Sequence, residues 1–181
     1  MTVETVIVPK KIVEEVKKRG LDLEELILQI LSRDLELDPM DTIEARIELA
    51  TQFLEKAKEC IARGDAVQAS EKLYRVAEEC IKALAQLLQT PEYFKAVELN
   101  RWRASLLDEA AVTISERLNE PRVSDAWAHA YHLHVEGFHE ARLSIKVVKA
   151  KLSVIEWLLE YTKRVFEERK AGKSDRVSNA E

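Results

Sequence analysis

The sequence predicts an all-α fold, an up-and-down helical bundle preceded by a short strand–helix–helix arm. Three observations predict it. Apolar residues recur every three or four positions from Asp41 onward, as in Ile43, Ile47, Ala50, Leu54, Ala57 and Ile61. Only four Gly and four Pro punctuate 181 residues, and aromatic residues are 6%, which opposes the turn-rich pattern of a β-sandwich or barrel. Hydrophobic residues are 46% and charged residues 34%, a balance that excludes wholesale disorder. A chain of this length buries roughly 70% of its unfolded surface and needs no staples.

The arm occupies residues 1–38. Val3 to Val8 favours a strand because Val6, Ile7 and Val8 are β-branched. Pro9 suits the first turn of a helix over Lys10 to Arg19, with Ile12, Val13 and Val16 on one face and Gly20 just past its end. Asp22 and Glu25 make a capping-box-like start for a second helix carrying Leu23, Leu26, Ile27, Ile30 and Leu31. A single strand leaves its backbone groups unpaired, and the same strand of a second copy would satisfy them. This order resembles ribbon-helix-helix proteins, which implies dimerisation through the ribbon. Thr2, Glu4 and Thr5 offer no base-reading cation, and residues 1–38 carry six basic against nine acidic groups, so DNA is not the expected partner.

The bundle is expected over residues 39–169. Gly64 ends its first helix, and Asp65 with Gln68 caps the next, which carries Ala69, Leu73, Val76, Ala77, Cys80, Leu84 and Leu87. So short a joint makes an antiparallel hairpin. Thr90-Pro91 breaks the second helix, and a loop with Tyr93 and Phe94 leads to a helix from about Arg101 to Leu118. Asn119-Glu120-Pro121 is a turn. A helix from Arg122 to about Leu133 comes next, which Gly137 interrupts or weakens. The last helix is expected from about Phe138 to Arg169, and residues 170–181 as a disordered tail.

Net charge is −5, which argues against coating nucleic acid by bulk electrostatics. No run is long and apolar enough to span a bilayer, and the N-terminus lacks the features of a signal peptide, so a cytoplasmic location is expected. Abundant charge with scarce Asn and Gln points to a thermophilic source. Cys60 and Cys80 fall on opposite arms of the hairpin, roughly 16 Å apart along the axis. They are read as small core residues and not as a disulfide.

The histidines are the most informative feature. His129, His132, His134 and His139 all fall within eleven residues. His129 and His132 share a helix face, and Glu136 or His139 could complete a site with them. No HExxH or Cys-His framework accompanies them, so no metal and no cofactor are expected. Arg122 and His129 return to nearly the same face of one helix, about 10 Å apart along its axis. An Arg there would hold phosphate oxygens, and a His would move a proton to or from a ribose 2′-hydroxyl or a leaving oxygen. These two are the candidate catalytic pair. His132, His134, His139, Glu140 and Arg142 are the candidate binding residues. Trp102, Trp127 and Trp157 are read as core or interface anchors, Tyr74 as a core edge and Arg75 as a solvated charge.

An arginine followed by a histidine near a helix start resembles the HEPN domain (higher-eukaryote and prokaryote nucleotide-binding), and Ala69 to Leu84 looks like the second helix of such domains. The string Leu133-His-Val-Glu-Gly-Phe-His-Glu140 is similar to the archaeal PaREP family. One departure is Val123, where the HEPN pattern is usually polar. The resemblance covers roughly residues 41–169. It implies a helical bundle that dimerises with the Arg–His segments of two copies facing one cleft. It also implies either a metal-independent RNase using Arg122 and His129, or a non-catalytic module that binds nucleotide, RNA or a partner protein. A helical scaffold without a small-molecule site is the remaining alternative.

Overall fold

Eight α-helices and one π-helical segment succeed one another among the residues that the computed structural model describes, 6–19 and 23–178. The chain divides into two compact units, Met1–Thr42 and Ile43–Glu181.

The first unit contains α1 (Lys10–Lys18) and α2 (Leu23–Asp34), and α3 (Pro39–Ala62) begins in it. Pro9 precedes α1 as expected, and Lys17 and Lys18 lie in its last turn, where cations complement the helix dipole. Gly20 and Asp22 lie outside the described residues. The expected strand over Val3 to Val8 is corrected in its described part. Val6 to Val8 adopt no strand, since a lone β-prone segment finds no partner strand among the described residues. Residues 3–5 of that expectation lie outside the described residues. Val16 is the buried apolar residue of α1, whereas Ile12, Ile27, Ile30, Leu31 and Leu35 are exposed.

The second unit is organised around α4 (Ala66–Leu87). Asp65 caps this helix by accepting from the Gln68 amide at 3.0 Å, and Gly64 takes the left-handed turn before it at φ +76°. Every residue from Leu73 to Gln86 is buried. Alanines 69, 77, 83 and 85, all fully buried, let neighbouring helices come close. Packed around α4 are α5 (Pro91–Glu98), α6 (Ala104–Leu118), α7 (Arg122–His132), the π segment (Leu133–His139) and α8 (Ile145–Ser178). α3 meets it through Arg46 and Phe53. Cys60 and Cys80 are free and buried, as expected of core residues.

Three boundaries differ from the sequence expectation. The loop with Tyr93 and Phe94 is helix α5, because Thr90 accepts from the Tyr93 amide as N-cap and Pro91 occupies the first helical position. Thr90-Pro91 therefore ends one helix and starts another. The last helix begins at Ile145 and not near Phe138, and it continues through Ser178, past Arg169. Gly137 neither breaks the helix nor sits in it unnoticed. It lies in a widened π turn whose hydrogen bonds span one residue more than an α turn.

That π turn has a packing cause. A Cβ built on Gly137 would lie 2.2 Å from Ser70 Oγ and 2.6 Å from Ser70 Cβ. Ser70 is itself fixed, its hydroxyl donating to the Ala66 carbonyl at 2.7 Å. Only a residue without a side chain lets the segment lie against α4.

α4 also buries charge. Arg46 of α3 meets Glu79 at 2.9 Å, Glu79 meets Lys82 at 3.0 Å, Lys82 meets Glu78 at 3.1 Å, and Glu78 meets Arg75 at 3.1 Å. Glu79 and Lys82 are each 1% exposed. Reading Arg75 as solvated is thus corrected. Its guanidinium is buried, paired with Glu78, and lies over the Phe53 ring. Tyr74, expected at the core edge, is also buried.

Candidate functional site

The histidine-rich segment presents two faces, and the π turn separates them. On the first face α7 packs along α8. His129 Nδ1 lies 2.9 Å from Lys151 Nζ, and the Arg122 guanidinium stacks 4.0 Å from the centre of the Trp157 ring. Trp157 in turn stacks on Tyr161, whose other neighbour is the Arg164 guanidinium. Arg122 and His129 are therefore on one seam, as their spacing implies, but each is held by its own α8 partner. Those partners, Trp157 and Lys151, are themselves more than a turn apart, so the two side chains are not brought into contact.

The electrostatics of this seam are those of cations crowded together. Burial lowers the His129 pKa, and the neighbouring Lys151 charge lowers it further, with Asp125 partly opposing and His132 adding to the fall. Burial lowers the Lys151 pKa as well. The Lys151 ammonium is the natural donor, and His129 Nδ1 of a neutral imidazole the acceptor. Among the described residues Lys151 meets no carboxylate. His132 is exposed.

The second face is a ladder of rings. His134 stacks on Tyr74 with centroids 4.0 Å apart, and Tyr131, Phe138 and His139 surround it at 6.4, 6.2 and 4.4 Å. Trp127 lies 5.7 Å from Tyr74 and donates its indole N–H to Asp108 of α6. His134 Nε2 and His139 Nε2 are 3.0 Å apart. His134 Nδ1 is buried without a hydrogen-bond partner. Burial, then the His139 charge, then Arg75 push the His134 pKa down to about 4, so its imidazole is neutral at physiological pH. Burial raises the Tyr74 pKa well above the usual tyrosine value, so its hydroxyl stays protonated.

Glu140 and Arg142 form a separate exposed cluster beside this ladder. Arg142 pairs with Glu140 at 3.0 Å and with Glu136 at 3.5 Å, and its backbone amide donates to the Glu136 carbonyl at 2.8 Å. These contacts close the chain behind the π turn. Among the described residues no group of three His, Cys, Asp or Glu side chains is arranged to hold a metal ion. No helix among them is long and apolar enough to cross a membrane.

Two contributors are not legible in the sequence. Lys151 carries no local signal, because the register of α8 against α7 decides what it faces. Tyr74 is visible as a core residue, but nothing in the sequence couples it to His134 sixty residues away.

Residues 45–159 match the archaeal PaREP1/PaREP8 family, a span that includes the seam residues Arg122, His129, Lys151 and Trp157 and the whole ring ladder. A protein from Sulfolobus solfataricus, known from its crystal structure, is 35% identical, with a TM-score of 0.58. That similarity covers 64% of this chain and 93% of the other. Among curated proteins none matches. The chain belongs to the archaeal PaREP1/PaREP8 family.

Proposed function

We propose that this PaREP protein is a dimeric binding module of HEPN type whose α7–α8 seam takes the phosphates of a nucleotide or of an RNA end. One observation carries the reading. His129 and Lys151 face each other at 2.9 Å, Arg122 lies farther along the same seam, and Lys151 meets no carboxylate among the described residues. In a protein of net charge −5, a row of cation-forming side chains whose lysine pairs with no acid is a local site for an anion, although Asp125 stands near His129 and Glu120 near Arg122. A guanidinium offers a bidentate grip on phosphate, and an ammonium a point charge. Trp157, held beneath Arg122, fixes the guanidinium plane.

The experiment is equilibrium binding of a fluorescein-labelled single-stranded oligoribonucleotide, with AMP as competitor, at several salt concentrations. Arg122→Ala and Lys151→Ala are each expected to weaken binding about tenfold or more, as loss of a charge-assisted hydrogen bond does, and to flatten the salt dependence. Wild-type protein that binds neither probe, or variants that both keep wild-type affinity, rejects the reading.

A second reading, the metal-independent endoribonuclease using Arg122 and His129, is favoured by the neutral His129 beside Lys151. With its ring proton on Nε2, this neutral imidazole takes the 2′-hydroxyl proton at Nδ1, which requires Lys151 to swing from that nitrogen to the phosphate. Since Arg122 and His129 stand about two turns apart, one substrate would have to bridge them. EDTA-resistant RNA cleavage that disappears in His129→Ala is the expected sign, and cleavage persisting in that variant removes the assignment. Of the expected binding residues, exposed His132 lies on the same helix as this pair, whereas His134, His139, Glu140 and Arg142 belong to the other face and take no part in this reading.

Dimerisation is assigned to residues 1–38. A unit of about 40 residues is at the lower limit of independent folding, and exposed Ile12, Ile30, Leu31 and Leu35 leave it apolar surface that a second copy would cover. Sedimentation equilibrium of an Ile30→Glu, Leu31→Glu variant is expected to show weakened self-association, since both side chains lie on the exposed apolar surface. A full-length monomer at micromolar concentration would contradict the assignment.

A further inference from the structure

The geometry points to a metal site, distinct from the α7–α8 seam. We propose that His134 Nε2 and His139 Nε2 are two adjacent ligands of a divalent first-row transition metal of the zinc, nickel or copper(II) kind, with water in the remaining positions. The measurement behind it is the 3.0 Å between these nitrogens, which one ring spans by donating to the other until an ion displaces that proton. A metal bound by imidazole at 2.0–2.1 Å holds neighbouring ligands about 2.9 Å apart at right angles and about 3.4 Å apart at the tetrahedral angle. The two rings thus already stand at the separation of a shared ion.

The backbone makes this possible in a way an α-helix does not. Residues five apart on an α-helix are about 140° apart around the axis and point to different sides. The π turn over Leu133–His139 pairs i with i+5, and so it brings His134 and His139 together, their rings 4.4 Å apart and nearly perpendicular. Gly137 sits between them and locks the turn against Ser70. The Tyr74 ring stacked at 4.0 Å and the Phe138 ring 6.2 Å away hold the orientation of His134. Its Nδ1 is buried with no partner, which leaves Nε2 as the nitrogen that any ligand reaches. Among the described residues no carboxylate pairs with either ring. Glu136 and Glu140, the acids next to the turn, are both engaged by Arg142. His139 is exposed, so the open side of the ion would face solvent. Imidazole donors suit zinc, nickel and copper, whereas oxygen-seeking magnesium and calcium have little to bind here. Helical spacing alone would pair His129 with His132. The π turn selects a different pair.

The test uses the full chain and Zn(II) alone, followed by isothermal titration, with Co(II) absorption in the visible as a second readout. Wild-type protein is expected to take up one ion per site, and His139→Ala and His134→Phe are each expected to weaken Zn(II) binding at least tenfold. His139 is exposed, so its variant keeps the fold, and phenylalanine preserves the stack on Tyr74. The double variant His129→Ala, His132→Ala is expected to bind Zn(II) as wild type does. Mg(II) is expected not to compete. No Zn(II) binding at millimolar concentration, unchanged affinity in His139→Ala, or loss of binding in the His129/His132 double variant would each overturn the proposal.

Discussion

Gly137→Ala is expected to destabilise the protein by about 3 kcal/mol, at the upper end of what overpacking costs. The new methyl would overlap Ser70 Oγ and approach Ser70 Cβ to 2.6 Å. The hydroxyl alone could swing aside, but the second contact involves an atom fixed to the α4 backbone. α4 is enclosed by other helices and cannot retreat, so the π segment must lift. Equilibrium urea unfolding measures the loss as a shift in midpoint. Two companion variants identify the cause. Ser70→Ala in the same chain removes the hydroxyl and leaves the backbone-fixed carbon, so it is expected to restore little. Ser70→Gly removes both atoms and is expected to recover most of the loss, less the roughly 1 kcal/mol that glycine costs within a helix. The net recovery is then about 2 kcal/mol, and the coupling between positions 70 and 137 about 3 kcal/mol once the cost of Ser70→Gly alone is taken out. A Gly137→Ala midpoint equal to that of wild type would show that glycine is not required there.

Much of the architecture is legible because it depends on local chemistry. The Asp65–Gln68 cap, the turn at Gly64 and the apolar stripe of α4 are set by neighbouring residues, and the structure has them where the sequence places them. Thr90-Pro91 reads as a stop because Pro ends helices. The same dipeptide also starts them, and which role prevails depends on whether the next residues can form a helix. Arg75 reads as solvated because charge in a periodic pattern usually marks the outer face. Its burial depends on Glu78 and the Phe53 ring, and on a ladder anchored by Arg46 from another helix, which no helical period reveals. The concentration of histidines is visible in the sequence, yet its division into a seam at His129 and a ring ladder at His134 and His139 is not. That division is made by one additional residue in a turn, set by the contact between Gly137 and Ser70.

The ladder of buried charge in α4 is where the largest single loss is expected. Glu79 is 1% exposed and accepts from Arg46 and Lys82 with its two oxygens. Glu79→Ala removes the anion between two buried cations and leaves a space that water reaches poorly. A loss of about 3–5 kcal/mol is expected, the usual cost of breaking a buried ion pair from one side. Solvent-facing pairs such as Lys163–Glu160 provide the contrast. Glu160→Ala is expected to change stability by less than about 1 kcal/mol. The ladder need not be a net source of stability for this to hold, because desolvation opposes the attraction among its members. Replacing Arg46, Glu79 and Lys82 together by Met, Leu and Met leaves Arg75 and Glu78 as a balanced pair. That variant is expected to be far less damaged than Glu79→Ala alone, and as stable as wild type if packing is kept. Urea unfolding of the single and triple variants separates the two cases. A triple variant as unstable as Glu79→Ala would mean that the ion pairs themselves, and not merely their mutual compensation, hold α3 against α4. A Glu79→Ala loss below about 1 kcal/mol would mean that water reaches the ladder and screens it.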